Sequence, residues 1–150
     1  MSDLSIEDVI FANLISNDAY VRATLPYIKK EYFSRTEEGI IFELIHEYFS
    51  NYDASPPREA LLIDLEKIQL NEGLYSSTSK MIEHFCSTKV EADYEWLLDQ
   101  TEKYCQDKAI YNAIMESIGI IDGKSDKDKG ALPELLSEAL GVSFDTNIGH

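Results

Sequence analysis

The residues that come nearest to a phosphate-binding loop are Gly119 to Ser125, with the sequence GIIDGKS. A Walker A loop binds phosphate through the backbone of G-x-x-x-x-G-K-[ST], placed between a strand and a helix. Here three residues instead of four separate the two glycines, and the residues before them have a helical pattern. We therefore interpret Gly119 to Ser125 as a helix end and the start of a linker, and we predict no nucleotide cofactor for this chain.

The other polar residues give little support for metal binding or catalysis. The histidines His46, His84 and His150 are scattered, and His84 with Cys86 offers two ligands where zinc usually takes three or four. Paired carboxylates are frequent in so acidic a chain and carry no specific acid–base signal. Neither a Gly-x-Ser-x-Gly motif nor a cysteine–histidine arrangement is present. The sequence thus predicts no catalytic residue, no metal and no cofactor, and a small enzyme is the least favoured class.

Acidic residues dominate the composition, with 13 lysines and arginines against 28 aspartates and glutamates and a net charge of −15. Nucleic-acid affinity depends on cations that displace counterions from phosphates, so we expect no strong direct nucleic-acid binding. Residues 31–66 hold nine of the acidic side chains and two arginines. This segment is either a solvated helix face or a docking face for a basic partner. Our candidates for that acidic face are Glu43, Glu47 and Glu59.

The chain has the size of one domain with its own core, because it has 150 residues of which 44% are hydrophobic. No apolar run approaches the roughly 18 residues of a membrane span. The N-terminus lacks the basic and then apolar order of a signal peptide, and Cys86 and Cys105 are the only cysteines. We expect a soluble protein of a reducing cytoplasm, with no membrane partner.

Helical periodicity runs through nearly the whole chain, and no alternation of period two is long enough to compete with it. The fold class is therefore predicted to be all-α. Ser5 with Asp8, and Ser34 with Glu37, have the spacing of capping boxes at the starts of two helices. The clearest helical stripe, which we predict to face the core, consists of Ile41, Leu44, Ile45, Tyr48 and Tyr52.

A single helix of about 30 residues is predicted from Ala92 to Ile121, because this stretch has no proline and only one glycine, Gly119. Its second half is apolar over an arc that one neighbouring helix cannot easily cover. The arc is either a subunit interface or a surface packed on the first and fifth helices. The candidate interface residues are Ile110, Tyr111, Ile114, Met115, Ile118 and Ile121.

A charged linker bounded by glycine, residues 122–130, follows the long helix. Residues 131–141 then have the pattern of a strongly amphipathic helix, with Pro133 near its start and Gly141 at its end. A tethered helix of this kind is typical of a docking element whose receptor lies outside the domain. Its docking residues would be Leu132, Leu135, Leu136, Ala139 and Leu140.

Several stretches, taken in order, resemble the N-terminal domain of DnaB-type replicative DNA helicases, in the form found in T-even-like bacteriophages. The resemblance covers nearly the whole chain, although each motif alone is a packing motif. The matching stretches are VIFANLISND (residues 9–18), EYFS (31–34) followed by GIIFELI (39–45), WLLDQTEKY (96–104), LLSEALGVSFD (135–145) and the final Gly149-His150.

The resemblance implies a small helical bundle, a long helical hairpin and a C-terminal linker helix. In that family the collar assembles as dimers or as a trimer of dimers on a homohexameric ring, and the linker helix docks on the motor domain of a neighbouring subunit. The implied divisions are a collar domain at 1–121, made of the bundle at 1–74 and the hairpin at 75–121, a flexible linker at 122–130, the linker helix at 131–141, and the start of a connection to an absent RecA-like motor at 142–150.

The resemblance also implies a function, a non-catalytic collar that supports hexamer assembly and binds primase and helicase loader during phage DNA replication. The parent protein would be an ATP-dependent 5′–3′ DNA helicase, with ATP and Mg bound only in the absent motor domain. The alternative is a stand-alone acidic helical adaptor or inhibitor of a replication protein. A free-standing module of that kind is expected to fold its last helix against its own body.

Overall fold

A computed structural model describes residues 4–144, which form seven α-helices and three short 3-10 helices and contain no strand. The all-α prediction is confirmed. The expectations for Asp145, Gly149 and His150 lie outside the described residues. The α-helices are α1 (Ile6–Ser16), α2 (Asp18–Thr24), α3 (Thr36–Tyr52), α4 (Arg58–Glu66), α5 (Glu72–Ser87), α6 (Tyr94–Ile121) and α7 (Leu132–Leu140), and the 3-10 helices are Leu25–Tyr27, Lys30–Tyr32 and Lys129–Ala131.

The first helix forms the centre of the bundle, where it contacts α2, α3, α5 and α6. Ile10, Phe11 and Leu14 of α1 are completely buried. The ring of Phe11 stacks on Phe85 of α5 at 4.7 Å between centroids and lies 4.8 Å from the ring of Phe33. The aromatic contacts of one α1 residue thus join α5 to the segment that precedes α3, and they fix the bundle around α1.

One of the two predicted capping boxes is confirmed and the other is displaced by one residue. At α1 the Asp8 N–H donates to the Ser5 hydroxyl (3.1 Å) and the Ser5 N–H donates to the Asp8 carboxylate (3.2 Å). At α3 the Arg35 N–H donates to the Glu38 carboxylate (3.2 Å), so the prediction of Ser34 with Glu37 is wrong. The cause is tertiary, because Glu38 is buried against the bundle while Glu37 stays half-exposed.

The predicted core stripe of α3 is confirmed at Ile41, Leu44 and Ile45, which are buried. It is wrong at Tyr52, which is 66% exposed, while Tyr48 is half-buried. The last turn of α3 extends beyond the bundle, and the two tyrosine rings pack on each other there at 4.6 Å. Periodicity identifies the helix but not the point at which the core ends.

The long helix is confirmed as one element of 28 residues, Tyr94–Ile121. Its partner differs from the predicted hairpin at 75–121, in which α5 would lie beside α6. The buried residues of α5, among them Met81, Ile82 and Phe85, face the bundle, and α5 packs chiefly on α4, α1 and α3. Since that apolar face is already used, the closest partner of α6 is α7.

Candidate protein-interaction surface

The second half of α6 has a continuous apolar surface that no other described residue covers fully. We call its five residues, each between 47% and 58% exposed, the α6 face: Tyr111, Ile114, Met115, Ile118 and Ile121. At about 100° per residue their spacing places them on one side of the helix, over about 15 Å of its length. The polar residues of the same turns point elsewhere, since Asn112 donates to the Glu31 carbonyl (3.0 Å) and Glu116 pairs with Lys127.

The opposite side of the same turns is buried. Ala113, Ser117 and Ile120 are nearly inaccessible to solvent, and Ala113 borders the same surface groove as Leu135 and Ala139 of α7. Ile110 lies at the border of the two sides and is half-buried. Of the six predicted interface residues, five are therefore exposed together on one face and one belongs to its edge.

The docking residues predicted for the last helix divide into two sets. Leu132 and Leu135 are half-buried and Ala139 is buried, and α7 packs along α6. Leu136 and Leu140 remain exposed, Leu140 at 72%. The helix thus uses part of its apolar surface within its own chain and leaves the rest accessible.

The residues after α7 continue along the domain and end in a buried aromatic side chain. Phe144 is 5% exposed and stacks on Tyr27 at 5.0 Å between ring centroids. The Phe144 N–H donates to the Glu102 carboxylate (2.7 Å), and the Gln106 amide donates to the Val142 carbonyl (2.9 Å). We call residues 132–144 the C-terminal strap.

An open groove borders the contact between the strap and the body. The groove has a volume of about 230 Å³ and lies between α7, α6 and the segment around Tyr32, and charged residues line part of it: Lys29, Glu31, Glu116 and Glu138. Because it is open to solvent, the groove marks the edge of the contact between α7 and α6, which is itself extensive.

The segment that resembled a phosphate-binding loop is a helix C-cap. The Lys124 N–H donates to the Gly119 carbonyl (2.8 Å) and the Gly123 N–H to the Ile120 carbonyl (3.2 Å), with Gly123 at φ +74°. These two hydrogen bonds and the left-handed residue constitute a Schellman motif. The interpretation as a helix end and linker is confirmed. The Gly119 carbonyl accepts one of the capping hydrogen bonds, and the backbone of Gly123 adopts the left-handed conformation that the cap requires.

The three acidic candidates are exposed. Glu43 and Glu47 lie one turn apart on α3, and Glu59 lies in the first turn of α4. The Glu43 carboxylate forms an ion pair with the Lys30 ammonium group at 3.1 Å. Since that pair is solvated, it leaves the carboxylate available to a partner.

The structure places His84 and Cys86 in the last turn of α5. The His84 imidazole lies 3.3 Å from the Asp8 carboxylate, and burial raises the pKa of the half-buried Cys86 thiol. Within residues 4–144 no group of three or more histidine, cysteine, aspartate or glutamate side chains could hold a metal ion. In the same range, no helix is both long enough and apolar enough to cross a membrane.

The fold and this surface define an all-α domain with an exposed apolar face of the kind that mediates protein–protein contacts. No protein-family model matches the chain. The chain is 32% identical over 152 residues to the DnaB-like replicative helicase of Enterobacteria phage T4. The match covers 95% of this chain and 32% of that protein, so the chain spans about a third of the length of the curated relative it matches. The resemblance to phage DnaB-type replicative helicases is therefore confirmed.

Proposed function

We propose that the chain is the N-terminal collar domain of a phage replicative DNA helicase, a non-catalytic module that supports assembly of the helicase ring during DNA replication. The observation that carries this proposal is the 32% identity to the T4 DnaB-like replicative helicase over 95% of the chain. The collar acts in the cytoplasm of the bacterial host. The unwinding activity, with ATP and Mg, belongs to a RecA-like motor that these residues do not include.

Self-association through the α6 face is the first activity of the proposed collar. Burying the exposed half of each of its five side chains is worth about 1 kcal/mol per residue, or about 10 kcal/mol for two copies in contact. Association costs about 4–15 kcal/mol in lost translational and rotational freedom. The isolated domain is thus expected to form weak dimers, which would be strengthened where a ring holds the copies together.

Binding of primase and helicase loader, the partners of a primosome, is the second activity. The net charge of −15 disfavours DNA as a ligand of this domain and favours partners with basic surfaces. Glu43, Glu47 and Glu59 are exposed and lie on two neighbouring helices, α3 and α4, that contact each other. We assign the acidic face to one of these partners, whose approach it accelerates.

The linker helix is the third element of the proposal. Leu136 and Leu140 form an exposed apolar strip on α7. This strip docks on the motor domain of a neighbouring subunit, where its apolar side chains are covered. The contact of α7 with α6 leaves this strip accessible and is compatible with such docking.

The alternative is a stand-alone acidic adaptor or inhibitor of a replication protein. One observation favours it, because α7 and Phe144 fold against the body of their own chain, as expected for a free-standing module. Protease resistance of residues 122–130 would also favour the adaptor, whereas ready cleavage there would favour a tethered collar.

The decisive experiment is to sequence the gene beyond the codon for His150. A reading frame that continues into a strand, a correctly spaced G-x-x-x-x-G-K-[ST] motif and a helix supports the collar. A stop codon directly after His150 contradicts the collar and supports the adaptor. The result does not depend on the folding or solubility of any variant.

A further inference from the structure

The last described residues occupy a well-defined socket on the surface of the bundle. Glu102 and Gln106 lie one helical turn apart on α6 and bind the backbone of the strap two residues apart. Gln106 donates to the Val142 carbonyl, and Glu102 accepts from the Phe144 N–H. The ring of Tyr27 closes the socket by stacking on Phe144. The socket therefore recognises an extended segment by two backbone groups and one aromatic side chain.

The helix between the linker and this socket lies against α6 but buries few of its own side chains. In α7 only Ala139 is buried, and an open groove borders the helix. The helix has nine residues, and isolated helices shorter than about 12–15 residues are marginal in water. We therefore expect the contacts at the end of the strap to help hold α7 on α6.

The linker before α7 allows the helix to move. Residues 122–130 are charged and largely exposed. Lys127 connects them to Glu116 of α6 by an ion pair whose side chains are 52% and 37% exposed, and exposed pairs contribute little to stability. The linker thus adds little to the attachment of the strap, whereas Phe144 at the other end is buried and hydrogen-bonded.

We propose that the socket of Tyr27, Glu102 and Gln106 is a reversible binding site for an extended segment with an aromatic side chain, occupied by the chain's own Val142–Phe144, and that its occupancy controls the release of α7. While Phe144 is bound, Leu132 and Leu135 lie on α6. When Phe144 leaves, α7 separates from α6 and exposes its whole apolar stripe. Only the use of the released helix, docking on a neighbouring subunit, rests on the proposed function.

Hydrogen exchange on the full chain tests the proposal, with Phe144→Ala as the perturbing variant. We expect the amides of α7 to exchange about tenfold faster or more, because they lose the contact that holds the helix in place. The amides of α1 and α3 should exchange at the wild-type rate. Leu140→Ala is the matched control, since it removes an exposed leucine from the same helix and should leave both rates unchanged.

Two results would overturn the proposal. Unchanged exchange in α7 would mean that Phe144 does not hold the helix, and equal acceleration in α1 and α7 would mean that the strap unfolds only with the whole domain. If Phe144→Ala does not fold, Gln106→Leu replaces it, because it removes one hydrogen bond at the edge of the socket. It should accelerate exchange in α7 alone, by a smaller factor.

A labelled peptide of residues 131–144 tests the socket as a binding site. By fluorescence anisotropy it should bind the Phe144→Ala chain at least about tenfold more tightly than the wild-type chain, whose own strap competes for the socket. A peptide that carries Phe144→Ala should bind neither chain. Equal affinity for both chains, or no binding to the variant chain, contradicts the socket. Neither outcome bears on self-association through the α6 face, so the two proposals can fail separately.

Discussion

Replacing Ile114 and Ile118 together by aspartate tests the proposed interface directly. These side chains are 48% and 47% exposed in the single chain. Covering the exposed half of each is worth about 1 kcal/mol, and both copies contribute both residues, so the variant loses about 4 kcal/mol of association free energy. This corresponds to an increase of about a thousandfold in Kd. Carboxylates brought into an apolar contact would weaken association further.

The same variant should remain folded. Both positions are at the surface, and isoleucine and aspartate have similar helix propensities. We expect the free energy of unfolding to fall by only about 2 kcal/mol, because each substitution loses the half of the isoleucine side chain that the single chain buries. Sedimentation velocity over a range of concentrations measures association, and thermal unfolding followed by circular dichroism measures stability. The two measurements separate loss of an interface from loss of the fold.

Ile63→Asp is the matched control, because Ile63 on α4 is 54% exposed and lies outside the α6 face. It should associate like the wild-type chain. The reasoning is refuted if the double variant is folded and associates with the wild-type Kd. It is also refuted if Ile63→Asp weakens association equally, since that result would indicate non-specific attraction between apolar surfaces.

Three further predictions concern the N-terminus of α3, the end of α6 and the acidic face. Burial raises the pKa of Glu38, so the wild-type chain loses stability as pH rises through that pKa. Glu38→Gln keeps an acceptor for the helix cap. In denaturation curves its free energy of unfolding should equal that of the wild type at low pH and should increasingly exceed it as pH rises. Gly123→Ala should cost about 1 kcal/mol in urea denaturation, because alanine is strained at φ +74°; an unchanged midpoint would contradict the cap. Replacing Glu43, Glu47 and Glu59 by lysine should weaken primase or loader binding at low salt while leaving self-association intact, and binding of both partners at wild-type affinity would rule out the acidic face.

Local signals predicted much of the fold. The cap at Ser5 depends on residues three apart in sequence, and the long α6 follows from the lack of proline in one stretch. The exposed α6 face also follows from local information, since the apolar arc is wider than one helix can cover. Local patterns succeed here because the physical cause, a hydrogen bond or a helical period, lies within a few residues.

The remaining features depend on contacts between distant residues. The cap of α3 uses Glu38 instead of Glu37 because the bundle buries one carboxylate and not the other. Likewise, an apolar stripe on a helix indicates that another element packs on it but does not indicate which one. The pairing of α6 with α7 instead of α5 was therefore not predictable. The socket was missed because Tyr27, Glu102 and Phe144 are far apart in sequence and none belongs to a recognisable motif.

The side-chain sizes on α6 explain why its two faces have different roles. Ala113 and Ser117 are small, buried and one turn apart, and Ala113 borders the same groove as Leu135 and Ala139 of α7. The exposed face has large side chains that gain more from being covered by another surface. α6 contacts α1, α2 and the segment around Tyr32, and its most extensive contact is with the nine-residue α7. Association through the α6 face would cover the exposed side chains of the second half of α6, so self-association and the rigidity of α6 would increase together.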